Sequence, residues 1–381
     1  MILFIVTFLS IYGLIHLYAF VKARSALRFG AARGAVLGLF MAFMVFSPII
    51  VRTSERLGLE TFAVYFSYAG YIWMGLLFLF ISWSLLFDIC RFIVWLFGRV
   101  CRYNLTAMMP PAKSSFYLTL ILTLIAAAYG SYEAADIRTE RVVIKTDKMP
   151  KENGRLRIVQ ISDVHIGLIV REWRLQRIVD KVRNAGPDIL VSTGDLVDGQ
   201  IDGLDGLSGL LKGIDAPYGK FAIPGNHEYY AGFGQSAEFI KNSGFRLLEG
   251  EAVTIPGLIN IAGVDDPAAR RFGLYTAIPE EDLLLSLDGE LFTLLLKHLP
   301  LINEDSLGRF DLQLSGHTHR GQIFPFKFIV RFFFPRLSGY FELEKDSRLY
   351  VSRGTGTWGP PIRFLSPPEV TVIDLVGEKF Q

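Results

Sequence analysis

The spacing of apolar positions divides the chain. The first third holds four apolar runs, 2–21, 34–51, 61–87 and 114–131, none with an internal Lys, Arg, Asp or Glu. Each is long enough to cross a hydrocarbon core as a helix, for which roughly 17–25 apolar residues suffice. After residue 137 the pattern changes: "IRTERVVIKTDKMP" alternates like an exposed strand and leads into "GRLRIVQISDVHIG". Short β-rich runs follow at 157–162, 188–192, 219–223, 292–296, 312–315, 349–352 and 370–375. Between them, 173–182 places Leu175, Ile178, Val179 and Val182 at helical spacing, and 281–287 is a shorter helical pattern. Alternating strands and helices predict an α/β domain with a layered sheet. The expected organisation is a transmembrane region with four membrane helices over 1–132, a linker and leading strand over 133–154, and the α/β domain over 155–381.

Composition supports the division, since 51 % hydrophobic content over 381 residues exceeds that of a soluble protein. The first run has no basic residue ahead of it and is followed by three more, which predicts a retained helix rather than a cleaved signal peptide. Charge then sets an orientation. The first loop carries Lys22, Arg24, Arg28 and Arg33, and the third carries Arg91, Arg99, Arg102 and Lys113. The second has only Arg52 and Arg56, balanced by Glu55 and Glu60. Positive-inside bias puts loops one and three in the cytoplasm and everything after residue 131 outside it, giving a multi-pass membrane protein with an extracytoplasmic domain. Residues 1–132 hold 10 Lys and Arg against 3 Asp and Glu, and the remainder 29 against 34. The acidic excess of the second part argues against a nuclease, which would show a basic groove, so no nucleic acid is expected as partner. The two cysteines, Cys90 and Cys101, both follow the third run, which excludes a disulfide framework for the globular part; both read as small buried apolar residues.

The candidate chemistry sits where strands end. "SDVH" puts Asp163 and His165 after the first, "TGDLVDG" puts Asp195 and Asp198 after the second, and "PGNHE" puts Asn226, His227 and Glu228 after the third. "LKHLP" adds His298, and "SGHTH" adds His317 and His319. Ligand sites of open α/β sheets form beyond the carboxyl ends of strands, so five such clusters can converge on one crevice. Carboxylates, imidazoles and an amide without a thiol suit Mn, Fe or Zn, and there are more donors than one ion needs. Two ions sharing a carboxylate, able to clamp a phosphoryl group and activate a bridging water, are the natural arrangement. In an extended segment residues two apart face the same side, which would turn His317 and His319 toward the cluster and Thr318 away from it.

The ordered series D-x-H, G-D-x-x-D, G-N-H-E, a lone His and G-H-x-H resembles the calcineurin-like metallophosphoesterase superfamily over residues 155–376. The tail "YVSRGTGTWGPPIRFLSPPEVTVIDL" is similar to that of a membrane-attached bacterial subgroup, whose animal relative is called transmembrane protein with metallophosphoesterase domain. The resemblance implies an α/β sandwich of two sheets flanked by helices, and a phosphoester hydrolase that works by attack of a metal-bound hydroxide. It implies that Asp163, His165 and His319 hold one ion, that Asn226, His298 and His317 hold the other, and that Asp195 bridges them. His227 would stabilise the transferring phosphoryl group or protonate the leaving group, oriented by Asp198. Arg320 stands where the subgroup often has Gly.

Other residues read less sharply. His16 suits packing between membrane helices better than a proton relay. Asp265 and Asp266 in "GVDDP" read first as turn residues, Glu228 as a surface carboxylate or a site residue, and Arg353 and Arg363 as substrate contacts or solvated, sheet-edge residues. The segment 324–341, "FPFKFIVRFFFPRLSGYF", is either a buried hairpin or helix of the core, or an amphipathic lip that meets lipid headgroups through Lys327, Arg331 and Arg336. A chain held by membrane helices makes a lipid or lipid-linked phosphoester a reasonable substrate. The alternative to an enzyme is a non-catalytic scaffold of the same fold. A transporter has no charged intramembrane residue to support it.

Overall fold

The computed structural model describes residues 2–103, 105, 108–148, 154–199, 204, 206–275 and 278–377. They form two compact units, residues 1–132 with 360–364, and residues 133–359 with 365–381. Residues 149–153, part of the stretch expected as linker, lie outside the described ones.

The first unit is helical: α1 (Ile2–Leu27), α2 (Ala31–Val45), α3 (Ser47–Arg56), α4 (Glu60–Cys101) and α5 (Ala112–Ala135). Helices α1, α4 and α5 are each long and apolar enough to cross a membrane, and α2 with α3 makes a fourth such span if the bent pair counts as one. The run 34–51 is thus not one straight helix. It bends by 48° where α2 gives way to α3, at Phe46. Pro48, in the first turn of α3, has no N–H to give and its ring crowds the carbonyl four residues back, so a new helix starts there. The third apolar run ends at Phe87, yet α4 continues to Cys101 and takes Asp88, Arg91 and Arg99 with it. Asp88 is answered by Lys22 and by the Tyr18 hydroxyl, which donates to it at 2.7 Å. This extension corrects the reading of the cysteines: both lie on the continuing helix, Cys90 exposed and Cys101 only half-buried. His16 is packed as expected, Nδ1 bonded to the Tyr12 carbonyl at 2.8 Å and Nε2 accepting from Trp73 Nε1 at 2.9 Å.

The second unit is a two-sheet sandwich. Its strands are β1 (Arg138–Thr146), β2 (Arg155–Ile161), β3 (Ile189–Ser192), β4 (Lys220–Ala222), β5 (Arg246–Leu247), β6 (Glu251–Ile255), β7 (Ile259–Gly263), β8 (Phe292–Leu296), β9 (Leu312–Ser315), β10 (Gly339–Glu342), β11 (Arg348–Val351) and β12 (Glu369–Gly377). Helices α6 (Glu172–Ala185), α7 (Leu207–Lys212), α8 (Asn226–Ala231), α9 (Phe233–Asn242), α10 (Glu280–Leu285) and α11 (Lys327–Phe333) connect them. One sheet runs β1-β12-β2-β3-β4-β5 and the other β10-β11-β9-β8-β7-β6. Strands β2 to β5 pair in parallel, as do β7, β8, β9 and β11.

Alternation along each strand decides which layer a side chain joins. Leu156 and Ile158 of β2 meet Ile261, Leu294 and Leu312 of the opposite sheet. Val159 and Ile161 turn instead to the helices, where Leu175, Ile178, Val179 and Val182 of α6 cover them. Strands buried on both faces read as continuous apolar runs, which is why all seven expected runs are strands. On the far face of the second sheet, Leu283 and Leu284 of α10 cover Ala262 and Leu295. The carboxyl ends of β2, β3, β4, β8 and β9 feed the candidate site.

Candidate metal centre

Five strand ends meet as the sequence predicts, but the backbone does so in a strained way. Asp163, His165, Asp195, His317 and His319 have φ of 51°, 56°, 52°, 69° and 47°. The left-handed region costs a non-glycine residue roughly 1–2 kcal/mol, so surrounding bonds must hold these turns. This overturns the alternation argument for His317 and His319, which are not in an extended segment. The His317 N–H donates to both carboxylate oxygens of Asp163, at 2.9 and 3.1 Å, and curls the chain into a 3-10 turn from His319 to Gly321. Thr318 does point elsewhere, its hydroxyl donating to the Leu337 carbonyl at 2.6 Å. Two glycines make the close approach possible. A Cβ on Gly316 would lie 2.3 Å from Asp163 Oδ2, and one on Gly225 would lie 2.3 Å from Asp195 Oδ1.

The donor atoms gather in overlapping groups: Asp163, His165 and His319; His165, Asp195 and His227; and Asp195, His298 and His317, each within 4.8 Å. In the first, His165 Nε2 faces His319 Nε2 at 3.0 Å and His319 Nε2 lies 3.4 Å from Asp163 Oδ1. In the last, His298 Nε2 is 3.3 Å from Asp195 Oδ2 and 3.3 Å from His317 Nδ1. Asp195 belongs to both sides, with Oδ2 also 3.9 Å from His165 Nε2. The remaining expected donor, Asn226 Oδ1, is buried and accepts no hydrogen bond.

Electrostatics follow from this crowding. Burial, with His227 nearby, pushes His165 down to about 4, and burial with His298 pushes His317 down to about 3. Both imidazoles are therefore neutral, the form that coordinates metal. Burial raises Asp163 to about 6. Burial also opposes the charge on Asp195, but His298 and His227 outweigh it and hold the carboxyl well below its usual range. His298 is buried too, yet Asp195 and Asp163 keep it protonated, the positive charge a cation would bring to the same place. Its Nδ1 donates to the Thr193 carbonyl at 2.8 Å, which aims Nε2 at Asp195. His227 stands apart as a cation: burial disfavours it, but Asp195 and Asp198 lift it to about 9. Its Nδ1 is 2.7 Å from Asp198 Oδ1.

The donor set, nitrogen and oxygen without sulfur, fits divalent ions. So do imidazole nitrogens that face each other at hydrogen-bond distance and an amide oxygen left over.

Several residues differ from expectation. Glu228 is fully buried and accepts the N–H groups of Asp195, Val197 and Gly225, at 3.0, 3.1 and 2.7 Å, tying the loop after β3 to the start of α8. A Glu three residues after a helix cap was the available signal, masked because the cap is Gly225 rather than Ser or Thr. Arg353 takes the sheet-edge alternative: it bridges Glu140 of the edge strand β1 and Glu369 of β12, its Nε 2.6 Å from the latter. Arg363 is fully buried rather than solvated, and its N–H donates to the Gly130 carbonyl. Asp266 is a turn residue, as the sequence suggests, and caps a 3-10 turn by accepting from the Ala268 N–H at 2.8 Å. Arg320 is half-buried with φ of 51°. The core reading of 324–341 fails, because α11 buries none of its residues and Phe332 is 83 % exposed. The ring of Phe334, just after it, lies 5.0 Å from that of His317.

Fold and site together define a metallophosphoesterase. The chain belongs to the calcineurin-like phosphoesterase family, whose profile matches residues 156–321. It is 40 % identical over 260 residues to an uncharacterized metallophosphoesterase of Aquifex aeolicus (strain VF5), covering 68 % of this chain and 99 % of that protein. A second relative, the uncharacterized metallophosphoesterase Cj0846 of Campylobacter jejuni, is 34 % identical over 301 residues, 78 % of each chain. The transmembrane protein with metallophosphoesterase domain of Danio rerio is 32 % identical over 296 residues, 73 % of this chain and 67 % of that one. These relatives and the tail place the chain in the membrane-attached subgroup. It is a metal-dependent phosphoesterase.

Proposed function

We propose that this protein is held in the membrane by its apolar helices and hydrolyses a phosphodiester or a lipid-linked phosphate, with two divalent ions (Mn, Zn or Fe) at the strand ends. Asp163, His165 and His319 would hold one ion, Asn226, His298 and His317 the other, and Asp195 both. The observation that carries this reading is the position of Asp195, whose Oδ2 lies within 4 Å of donors from each group. When bound, the ions supply Lewis acidity at the phosphoryl oxygens and an acidified water as nucleophile. His227 supplies the proton. Its Nδ1–H is spent on Asp198, which leaves Nε2–H to donate to the departing ester oxygen, and the hydrogen bond to the Asp198 carboxylate favours the protonated ring. Glu228 keeps the backbone under Asp195 and Asn226 in place.

The loop charges favour a multi-pass arrangement with the catalytic domain outside the cytoplasm. The exposed aromatic face of α11, with Lys327 and Arg331 on the same short helix and Phe334 against His317, supports a lipid surface as partner. The test is hydrolysis of bis(p-nitrophenyl) phosphate against p-nitrophenyl phosphate by detergent-purified protein, with Mn²⁺ or with chelator, beside Asp195→Asn. Metal-dependent turnover that drops at least about 100-fold in the variant is expected, since bridging groups act on both ions. Protein that binds no metal would revive the scaffold.

A further inference from the structure

Beside the metal centre, and continuous with it through His298, the second unit has a cavity of about 590 Å³. Its wall carries Asp265, Asp266, Glu280 and Glu281 against Lys297 and Arg270, an acidic excess in a place where a phosphoesterase would be expected to present cations. Two of these carboxylates are only half used. Glu280 is 8 % exposed; Oε2 receives Lys297 Nζ at 2.6 Å, while Oε1 is buried with no hydrogen-bond partner. Asp266 is 4 % exposed; Oδ1 receives the Ala268 N–H, while Oδ2 is likewise buried and unpartnered. Glu281 accepts from Asn303 Nδ2 at 3.0 Å, and the Arg270 guanidinium lies 4.3 Å from the centre of the Tyr275 ring.

A buried carboxylate oxygen without a donor is costly, and a wall that presents two of them selects for a group that brings donors. Net negative charge makes a cationic donor the better match. An ammonium offers three N–H donors and no acceptor, and its bonds to carboxylate are charge-assisted. We propose that this cavity receives the ammonium of an amino-alcohol phosphodiester while the phosphate sits at the metal centre. The proposal rests on the phosphoesterase reading above and names the substrate class for the same site. Neutral and acidic phosphodiesters leave the two carboxylate oxygens unanswered and are selected against.

The test uses the full-length, Mn²⁺-loaded protein in detergent with two matched esters, p-nitrophenyl phosphoethanolamine and ethyl p-nitrophenyl phosphate, which differ only in the amine. We expect kcat/KM to favour the amine ester by about tenfold, the equivalent of one charge-assisted bond. Asp266→Asn, which keeps the cap acceptor and removes the charge, should bring the ratio toward one; Glu280→Gln should act in the same direction. Titration calorimetry with phosphoethanolamine against ethyl phosphate reads the same preference without turnover. Equal kcat/KM values, or a preference that survives both variants, would overturn the subsite. Loss of hydrolysis of both esters with amine-selective binding intact would instead count against the catalytic reading and leave the subsite standing.

Discussion

Helices α6 and α11 of the second unit make an instructive pair. Helix α6 carries Trp, three Arg, a Lys and two acids along 14 residues, yet buries Leu175, Ile178, Val179, Val182 and Ala185 completely or nearly so. Helix α11 is richer in large apolar residues, with Phe328, Ile329, Phe332 and Phe333, and buries none. Apolar content therefore does not decide which helix is core. Packing does: the apolar stripe of α6 lies in one cluster with Val159 and Ile161 of β2, whereas the aromatic face of α11, a helix of 7 residues with Lys327 and Arg331 on its other side, stays exposed. Stability thus falls to α6, and α11 is left exposed for the lipid contact proposed above.

This contrast can be broken by mutation. Ile178→Ala should cost about 2–5 kcal/mol, the range for truncating a fully buried aliphatic side chain, read as a lower denaturation midpoint of the detergent-solubilised protein. A loss below about 0.5 kcal/mol would mean that α6 is not core. Gly186→Ala, at the left-handed C-terminal cap of α6 with φ of 61°, should cost about 1 kcal/mol. Open space around that position means that backbone strain alone is measured. The double change Phe332→Ser with Phe333→Ser should alter stability by less than about 0.5 kcal/mol and leave turnover of soluble esters intact, while lowering turnover in anionic vesicles. Equal loss in vesicles and solution would remove lipid contact as the role of α11. Phe334 is best spared in that test because of its contact with His317.

Much of this was legible beforehand, for identifiable reasons. Central parallel strands such as "FTLLL" of β8 and "ILVS" of β3 are buried on both faces and announce themselves as short apolar runs. The donor residues follow strand ends in motifs whose glycines mark close approach. Most of the differences share a cause: they are settled by three-dimensional neighbours. Glu228 looks like a surface acid until three N–H groups converge on it. Cys90 reads as a small buried apolar residue, yet it stands exposed on a helix that runs on past Phe87 to Cys101. The direction of His317 was argued from an extended chain, whereas its conformation is imposed by Asp163, distant in sequence. The break at Phe46, by contrast, is already written in the sequence at Pro48, which cannot continue a helix from the preceding turn.

Gly225 and Gly316 carry a consequence for how such a protein changes over generations. Each stands where even one methyl group would overlap a carboxylate of the metal centre. No side chain is small enough to serve as a halfway step, so decay of the centre through these positions is abrupt. A lineage that keeps both glycines has kept the room for its ligands, and one that loses either has lost it at once.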